Sequence, residues 1–327
     1  MMTAAESGTG AVDAVVIGRN EGHRLIDCLR SMQGAARRVI YVDSGSTDGS
    51  AEAARALGAE VVALDLSQPF TAARARNAGL AALHDDGADF VQLVDGDCVI
   101  DPGWIATARA FLASHPQAAV ACGRRRENHP EASVYNRLCD REWNTPPGEA
   151  LACGGDALVR RAALQAVGGF RDDLIAGEEP EMCLRLRRAG WSIWRLDAEM
   201  TLHDAQILRF GQWWRRSRRA GHAFAEGAFL YGRAPERHWL RETRRALLWG
   251  AALPLAILLL MLASPWAGLL GLIYPAQLLR LARRDPAPGR WETALFSVLG
   301  KFAEAQGVLE FHLRRLRGRR RGIMEYK

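Results

Sequence analysis

The sequence predicts an α/β fold, doubly wound about a mostly parallel sheet, with an apolar helical region behind it. Three observations predict this. Short β-branched runs alternate with longer amphipathic stretches through the first half, acidic residues stand where the apolar runs end, and residues 246–279 carry no charged side chain and no histidine. Near-continuous apolar strands separated by helical periods belong to a sheet covered on both faces.

Taken in order, residues 14–17 read as the first strand and 22–32 as a helix. Residues 39–42, 50–57 and 60–64 repeat strand, helix, strand, and 90–94 and 118–122 continue the series. Beyond Gly123 the pattern loosens, with 144–148 as a loop. A helical period returns at 160–167 and stops at Gly168-Gly169. Another runs from Pro180 to about Ala189, because proline suits a first helical turn and Gly190 suits the exit.

At 327 residues and 49% hydrophobic content, the chain can bury a full core and still carry a second element. The net charge of +6 is concentrated in the last third, which points to an anionic surface as partner, phospholipid or nucleic acid. An arginine-rich tail without aromatic interleaving or a known module gives no reason to expect nucleic acid. Cys28, Cys98, Cys122, Cys139, Cys153 and Cys183 form no C-x-x-C pair, so the spacing indicates neither a disulfide framework nor a zinc site, and a reducing cytosol fits best. Residues 1–10 contain Glu6 and no apolar core, which argues against a secretory signal and for a cytoplasmic catalytic part.

The carboxylates carry the chemistry. Asp95 and Asp97 stand two apart at a strand end, so in extended backbone both side chains leave on one side. Such oxygen ligands suit Mg²⁺ or Mn²⁺, whose remaining positions go to water and phosphate. The alternative is a plain turn, since Asp-Gly is a common turn pair. Asp43 ends the second strand and can accept from a nucleobase N–H, with small residues from Ser44 to Gly49 beside it. Neither G-x-G-x-x-G nor G-x-x-x-x-G-K-[ST] is present, which weakens dinucleotide and P-loop readings.

The ordered segments Val15-Val-Ile-Gly-Arg-Asn20-Glu21, Val42-Asp43-Ser-Gly-Ser-Thr-Asp48-Gly49, Ala75-Arg76-Asn77-Ala-Gly79, Asp95-Gly-Asp97, Gly168-Gly169-Phe170 and Glu178-Glu179-Pro-Glu181-Met-Cys-Leu-Arg185 resemble the family 2 glycosyltransferases. The resemblance covers roughly residues 12–227. It implies a glycosyltransferase A fold and a nucleotide-sugar donor. Asn20, Glu21, Asp43, Arg76 and Asp95 would then lie around the nucleotide, with Asp95 and Asp97 at a diphosphate-bound divalent metal. His203 resembles the late histidine that completes that site, against the alternative of an ordinary partly buried histidine.

The family's Glu-Asp pair, whose Asp is the catalytic base, is Glu178-Glu179 here. Glu179 is therefore the expected base, one methylene longer than usual. The competing reading is that both glutamates serve the N-terminal dipole of the following helix, worth about 0.3–1 kcal/mol each. Glu181 and Arg185, four apart, read as a surface or supporting pair. Gln212, Trp213 and Arg215 approach the processive synthases' Q-x-x-R-W pattern, but Arg216 stands where tryptophan belongs. With Glu178 they are candidates for the acceptor or diphosphate side, against a membrane-interface or solvated role.

As a straight helix, residues 246–279 would extend about 50 Å, beyond the roughly 30 Å hydrocarbon core. Pro265 offers a break. Arg241, Arg244 and Arg245 before the run and Arg280, Arg283 and Arg284 after it place both ends on the cytoplasmic side. The expected organisation is a disordered 1–11, a catalytic domain over 12–227, a linker helix over 228–245, an apolar hairpin over 246–279, and an amphipathic helix with a basic tail over 280–327. The expected activity is inverting, metal-assisted transfer to a glycan or lipid-linked acceptor at the cytoplasmic face of a membrane, in envelope or exported-polysaccharide assembly. A sugar-phosphate nucleotidyltransferase and an inactive membrane scaffold are the alternatives.

Overall fold

The computed structural model describes residues 10–83 and 88–318. Most of the expected disordered N-terminus and the end of the basic tail, residues 319–327, lie outside the described residues. Two compact units are present: residues 1–130 with 139–205, and residues 131–138 with 206–327.

The first unit is built on β1 (Val12–Gly18), α1 (His23–Ser31), β2 (Val39–Asp43), α2 (Ser50–Ala56), β3 (Glu60–Ala63), α3 (Ala72–Ala82), β4 (Phe90–Asp95) and β5 (Cys98–Ile100). It continues through α4 (Trp104–Ser114), β6 (Ala118–Glu127), α5 (Val134–Trp143, whose first residues, to 138, belong to the second unit), β7 (Gly148–Glu149), β8 (Ala157–Arg160), α6 (Arg161–Ala166), α7 (Glu178–Arg188) and β9 (Ser192–His203). The sheet order is β3-β2-β1-β4-β8-β6-β9-β5, with β7 on β9. Parallel pairing holds β1 to β2 and β4, β2 to β3, and β6 to β9. Antiparallel pairing joins β8 to β4 and β6, and β9 to β5 and β7. The expected mostly parallel sheet is therefore evenly mixed: its first half follows the βαβ logic, while the short strand β8 returns antiparallel between β4 and β6.

The apolar runs that predicted the strands form the core, where Ala14, Val15, Val16, Ile40, Val42 and Val91 are fully buried. Packing against this sheet fixes α3, because Gly79 has no room for a side chain: a Cβ there would lie 2.3 Å from a Val15 methyl. Thr71 caps the same helix by accepting from the Arg74 amide at 3.1 Å.

Beyond Gly123 the chain does not loosen, since β6 runs on through three arginines to Glu127. Two of these charges are met across the strand pair, Arg124 on Asp197 and Arg126 bidentate on Glu199 at 2.7 Å, and Arg125 pairs with Asp156. Glu181 and Arg185 are not a surface pair either. Glu181 is 2% exposed and holds Arg185, which donates to the Val167 and Gly169 carbonyls and so ties α7 to the Gly-Gly-Phe turn.

The second unit holds α8 (Phe210–Tyr231), α9 (Leu240–Leu247), α10 (Leu253–Ala263), α11 (Ile273–Arg284) and α12 (Arg290–Leu316). Glycines let its helices approach closely: a Cβ on Gly221 would lie 2.0 Å from the Glu304 carbonyl oxygen, and one on Gly307 2.0 Å from that of Arg218. A π-helical turn joins α9 to α10, Ser264 breaks the chain in extended conformation, and a 3₁₀ stretch from Pro265 to Leu272 leads into α11. Tyr274 Oη donates to the Trp249 carbonyl at 2.7 Å, so the returning arm lies beside the outgoing one. Among the described residues one helix, Leu240–Ala263, is long and apolar enough to cross a membrane, with mean hydropathy 2.4. Leu262 and Trp266 at the bend are 85% and 79% exposed.

Candidate active site

The carboxyl ends of β1, β2 and β4 are neighbours in the sheet, and the loops leaving them bring the acidic residues to one edge. Asp43 closes β2 and turns back on its own loop, accepting from the Gly45 and Ser46 amides at 3.1 and 3.0 Å and from the Tyr41 hydroxyl at 3.1 Å. Asn20 sits at φ 55° and accepts from the Thr47 amide at 2.8 Å, while its own amide donates to Ser46 Oγ. These bonds splice the loop after β1 to the loop after β2. Glu21 is paired with Arg24 at 2.6 Å.

Arg76 projects from α3 and is almost fully buried. Its guanidinium bonds Glu178 Oε1 at 2.7 Å, Asp95 Oδ1 at 2.8 Å and the Gly155 carbonyl at 3.3 Å. Burial alone would lower its pKa, but the Asp95 and Glu178 carboxylates outweigh that and hold it above the ordinary arginine value. Next to it, Asn77 clamps Phe170 by accepting from its amide at 2.9 Å and donating to its carbonyl at 2.8 Å, which fixes the turn ahead of α7.

Asp95 and Asp97 do not follow the simple alternation of an extended strand, because β4 ends at Asp95 and the chain turns at Gly96. Asp95 is held by Arg76, with Arg125 at 3.9 Å, whereas Asp97 faces His203, whose Nε2 lies 3.4 Å from Asp97 Oδ1. Strand pairing explains the second contact. His203 ends β9, opposite Cys98 on β5 and Glu127 on β6. His203 is 5% exposed, its Nδ1 is buried without a hydrogen-bond partner, and its ring meets Trp143 edge-on at 4.7 Å.

Glu178 and Glu179 open α7, behind Gly177 in left-handed conformation at φ 81°. Glu179 Oε1 accepts from the Cys153 amide at 2.6 Å and from the thiols of Cys153 and Cys183 at 3.1 Å each. Burial pushes the Glu179 pKa above the usual glutamate value, with these hydrogen bonds opposing the shift. Glu178 and Glu179 thus stand in the first turn of a helix, and each is also held by a specific partner.

The structure adds residues that no local pattern marked. Asp156 is fully buried; it accepts from the Asp95 amide at 3.1 Å and from Thr201 Oγ1 at 3.0 Å, and pairs with Arg125 at 2.6 Å. Arg125 in turn lies over the Trp143 ring, 5.4 Å from its centroid. Burial would lower the Arg125 pKa, but Asp156 chiefly and Asp95 in addition hold it above the ordinary value. The Gly154-Gly155-Asp156 run ahead of β8 was the available signal.

Gln212, Trp213 and Arg215 lie in the second unit, on α8. Gln212 is spent on the helix start, accepting from the Leu208 and Arg209 amides and donating to the Gln206 carbonyl. Trp213 is 6% exposed and packs among Tyr135, Phe210 and Phe296, so its ring is not open for stacking on a sugar. Arg215 is exposed.

Residues 13–168 match the family model described as glycosyl transferase family 2. Succinoglycan biosynthesis protein ExoA of Rhizobium meliloti (strain 1021) is 24% identical over 231 residues, 67% of this chain and 66% of that protein. The UDP-forming cellulose synthase 1 catalytic subunit of Komagataeibacter xylinus is 28% identical over 172 residues, 47% of this chain and 22% of that protein. The chain thus spans just under two thirds of the first relative and under a quarter of the second. Among solved structures, the Pyrobaculum calidifontis mannosyltransferase PcManGT, in complex with GDP-Man and Mn²⁺, has a TM-score of 0.63 at 20% identity, covering 91% of this chain and 86% of that one. That likeness shows a shared fold.

Proposed function

We propose, from the match of residues 13–168 to the glycosyl transferase family 2 model, that the chain moves a sugar from a nucleoside-diphosphate sugar to a glycan or lipid-linked acceptor, inverting the anomeric carbon in one displacement. The observation that carries the reading is the pairing at the end of β4: Asp97 against His203, and Asp95 against Arg76, which also grips Glu178 in front of Glu179.

The donor set fits a divalent cation. Asp97 and His203 offer a carboxylate and an imidazole 3.4 Å apart, both buried, and Asp95 stands two residues before Asp97. Bound there, Mg²⁺ or Mn²⁺ would supply positive charge for the departing diphosphate; the Mn²⁺ of the PcManGT complex agrees with this. Asp43, Asn20 and Glu21 frame the nucleotide. Arg76 fixes Asp95 and Glu178, and Arg125 with Asp156 fixes the Asp95 backbone from behind. Glu179 removes the proton from the attacking acceptor hydroxyl. Burial raises its pKa above the usual glutamate value, which makes it a stronger base once deprotonated. A sugar-phosphate nucleotidyltransferase has no comparable use for a base held at this position.

Incubating the purified full chain with a panel of nucleotide sugars tests the assignment. Release of the nucleoside diphosphate from at least one donor is expected, and a chelator should abolish it, with activity restored by added Mg²⁺ or Mn²⁺. Turnover that survives the chelator would exclude the metal, and silence across a complete donor and acceptor panel would favour a scaffold.

The second unit supports attachment to the cytoplasmic face of a membrane, as a setting for envelope or exported-polysaccharide assembly. Between the arginine flanks, residues 246–263 extend about 27 Å at 1.5 Å per residue. The return through the 3₁₀ stretch and the apolar start of α11 spans about the same, at roughly 2.0 and 1.5 Å per residue. Arms of equal reach return Arg280, Arg283 and Arg284 to the face that holds Arg241, Arg244 and Arg245. Residues 228–245, the end of α8 and the start of α9, lead into the apolar run, and the helix α12 with the arginines beyond it forms the amphipathic, basic end. Cysteines introduced beside Asp285 and near the C-terminus are expected to label only from the cytoplasmic side of sealed vesicles; labelling from outside would refute the hairpin.

A further inference from the structure

Cys153 and Cys183 lie 30 residues apart in sequence, yet their sulfurs are 3.6 Å apart and each is 3.1 Å from the same oxygen, Glu179 Oε1. All three residues are buried, and the three donor atoms fall within 4.8 Å of one another. One face of the cluster is the loop carrying Cys153, next to exposed Gly154, where φ is +87° and no heavy atom lies within 4 Å of a Cβ position.

The triangle has the dimensions of a metal site. Zn²⁺ bound tetrahedrally at about 2.3 Å from each of two thiolates separates the sulfurs by about 3.8 Å, close to the distance already present. Two sulfurs and one carboxylate form a soft donor set, whereas the carboxylate and imidazole at Asp97 and His203 are harder and suit a Mg²⁺ or Mn²⁺ that shares oxygen ligands with phosphate. A disulfide would instead require the sulfurs to close to about 2.05 Å, a movement the cation does not need.

We propose that Cys153, Cys183 and Glu179 form a binding site for a thiophilic divalent cation of the Zn²⁺ class, separate from the Asp97 and His203 pair, and that its occupation withdraws Glu179 from the acceptor. On binding, each thiol releases its proton to solvent, two metal–sulfur bonds form, and Glu179 Oε1 exchanges its S–H donors for the metal. No electron is transferred. The inhibitory half rests on the reading of Glu179 as base; the site itself does not.

X-ray absorption on the wild-type full chain loaded with one equivalent of Zn²⁺ in excess Mg²⁺ tests the site without any substitution. Two sulfurs at about 2.3 Å with light-atom ligands are expected. A shell of nitrogen and oxygen only, or one sulfur with imidazole as Asp97, Cys98 and His203 would give, overturns the proposal. Titration with Cd²⁺ supplies the second arm, read by thiolate-to-metal charge-transfer absorption. C153S and C183S should each weaken binding by at least about a hundredfold, since each removes a direct ligand, and C98S should leave the band in place. A band lost only in C98S also overturns it. Donor transfer at the wild-type rate with two sulfurs on bound Zn²⁺ would leave the site standing and remove Glu179 as base.

Discussion

Asp97→Ala is expected to lower transfer about a thousandfold or more at saturating donor, equivalent to about 4 kcal/mol of lost transition-state stabilisation. The reason is local. Asp97 is buried and faces His203 across 3.4 Å, so alanine removes the hard half of the only carboxylate and imidazole pair among the described metal-ligand clusters. Asp95 cannot replace it directly, because its carboxylate is held by Arg76 at 2.8 Å. Initial rates of diphosphate release across a Mn²⁺ titration measure the effect. A variant within about tenfold of wild type at every metal concentration would place the cation elsewhere.

Glu179→Gln should lower kcat about a hundred- to ten-thousandfold, the range for loss of a positioned general base. The glutamine oxygen can still accept from the Cys153 amide, so the loop and the donor pocket should survive, and the nucleotide affinity read by calorimetry should stay unchanged. The pH profile carries a second signature. Burial raises the Glu179 pKa, and the base works only when deprotonated, so wild-type kcat should rise with pH through a value above the ordinary glutamate pKa of about 4.3. The sign of the linkage is opposite for stability. A carboxyl that binds its proton more tightly when folded contributes stability at low pH and loses it as pH rises through the folded value, so Glu179 does not drive acid unfolding. Near-wild-type turnover in Glu179→Gln would move the base role to Glu178, at the cost of its bond to Arg76.

The first half of the fold was legible because its signals are local. The apolar runs of β1 and β2 are each followed by a helical period, and the parallel pairs β1 with β2 and β1 with β4 accord with that alternation. Asn20, Asp43 and Asp95 stand at or just after strand ends and Arg76 on α3, and their proposed roles came from the ordered segments that resemble the family rather than from periodicity. Later elements depend on partners distant in sequence. Arg124 to Arg126 do not read as strand until Asp197 and Glu199 on β9 meet Arg124 and Arg126 and Asp156 meets Arg125, and the register of β6 on β9 is itself broken by shifts near Ala118 and Cys122. The spacing of Glu181 and Arg185 gave their pairing but could not say which face of α7 is buried. Asp156 and Arg125 meet across 31 residues, and Cys153 and Cys183 across 30, separations at which no periodicity operates. The tryptophan pair on α8 carried a motif-like pattern, yet packing claimed Trp213, and Trp214 donates to Gln306 on α12 at 2.9 Å.

The stereochemistry of transfer tests the central claim most directly. In the proposed mechanism Glu179 is the one base and the group around Asp97 holds the leaving diphosphate, so a single in-line displacement must invert the anomeric carbon. Proton NMR of the first product formed by the purified full chain, recorded before mutarotation or further turnover, should therefore show the anomeric configuration opposite to that of the donor. A product that keeps the donor's configuration would contradict the account, because retention requires a second displacement or a same-face attack that Glu179 as base does not provide.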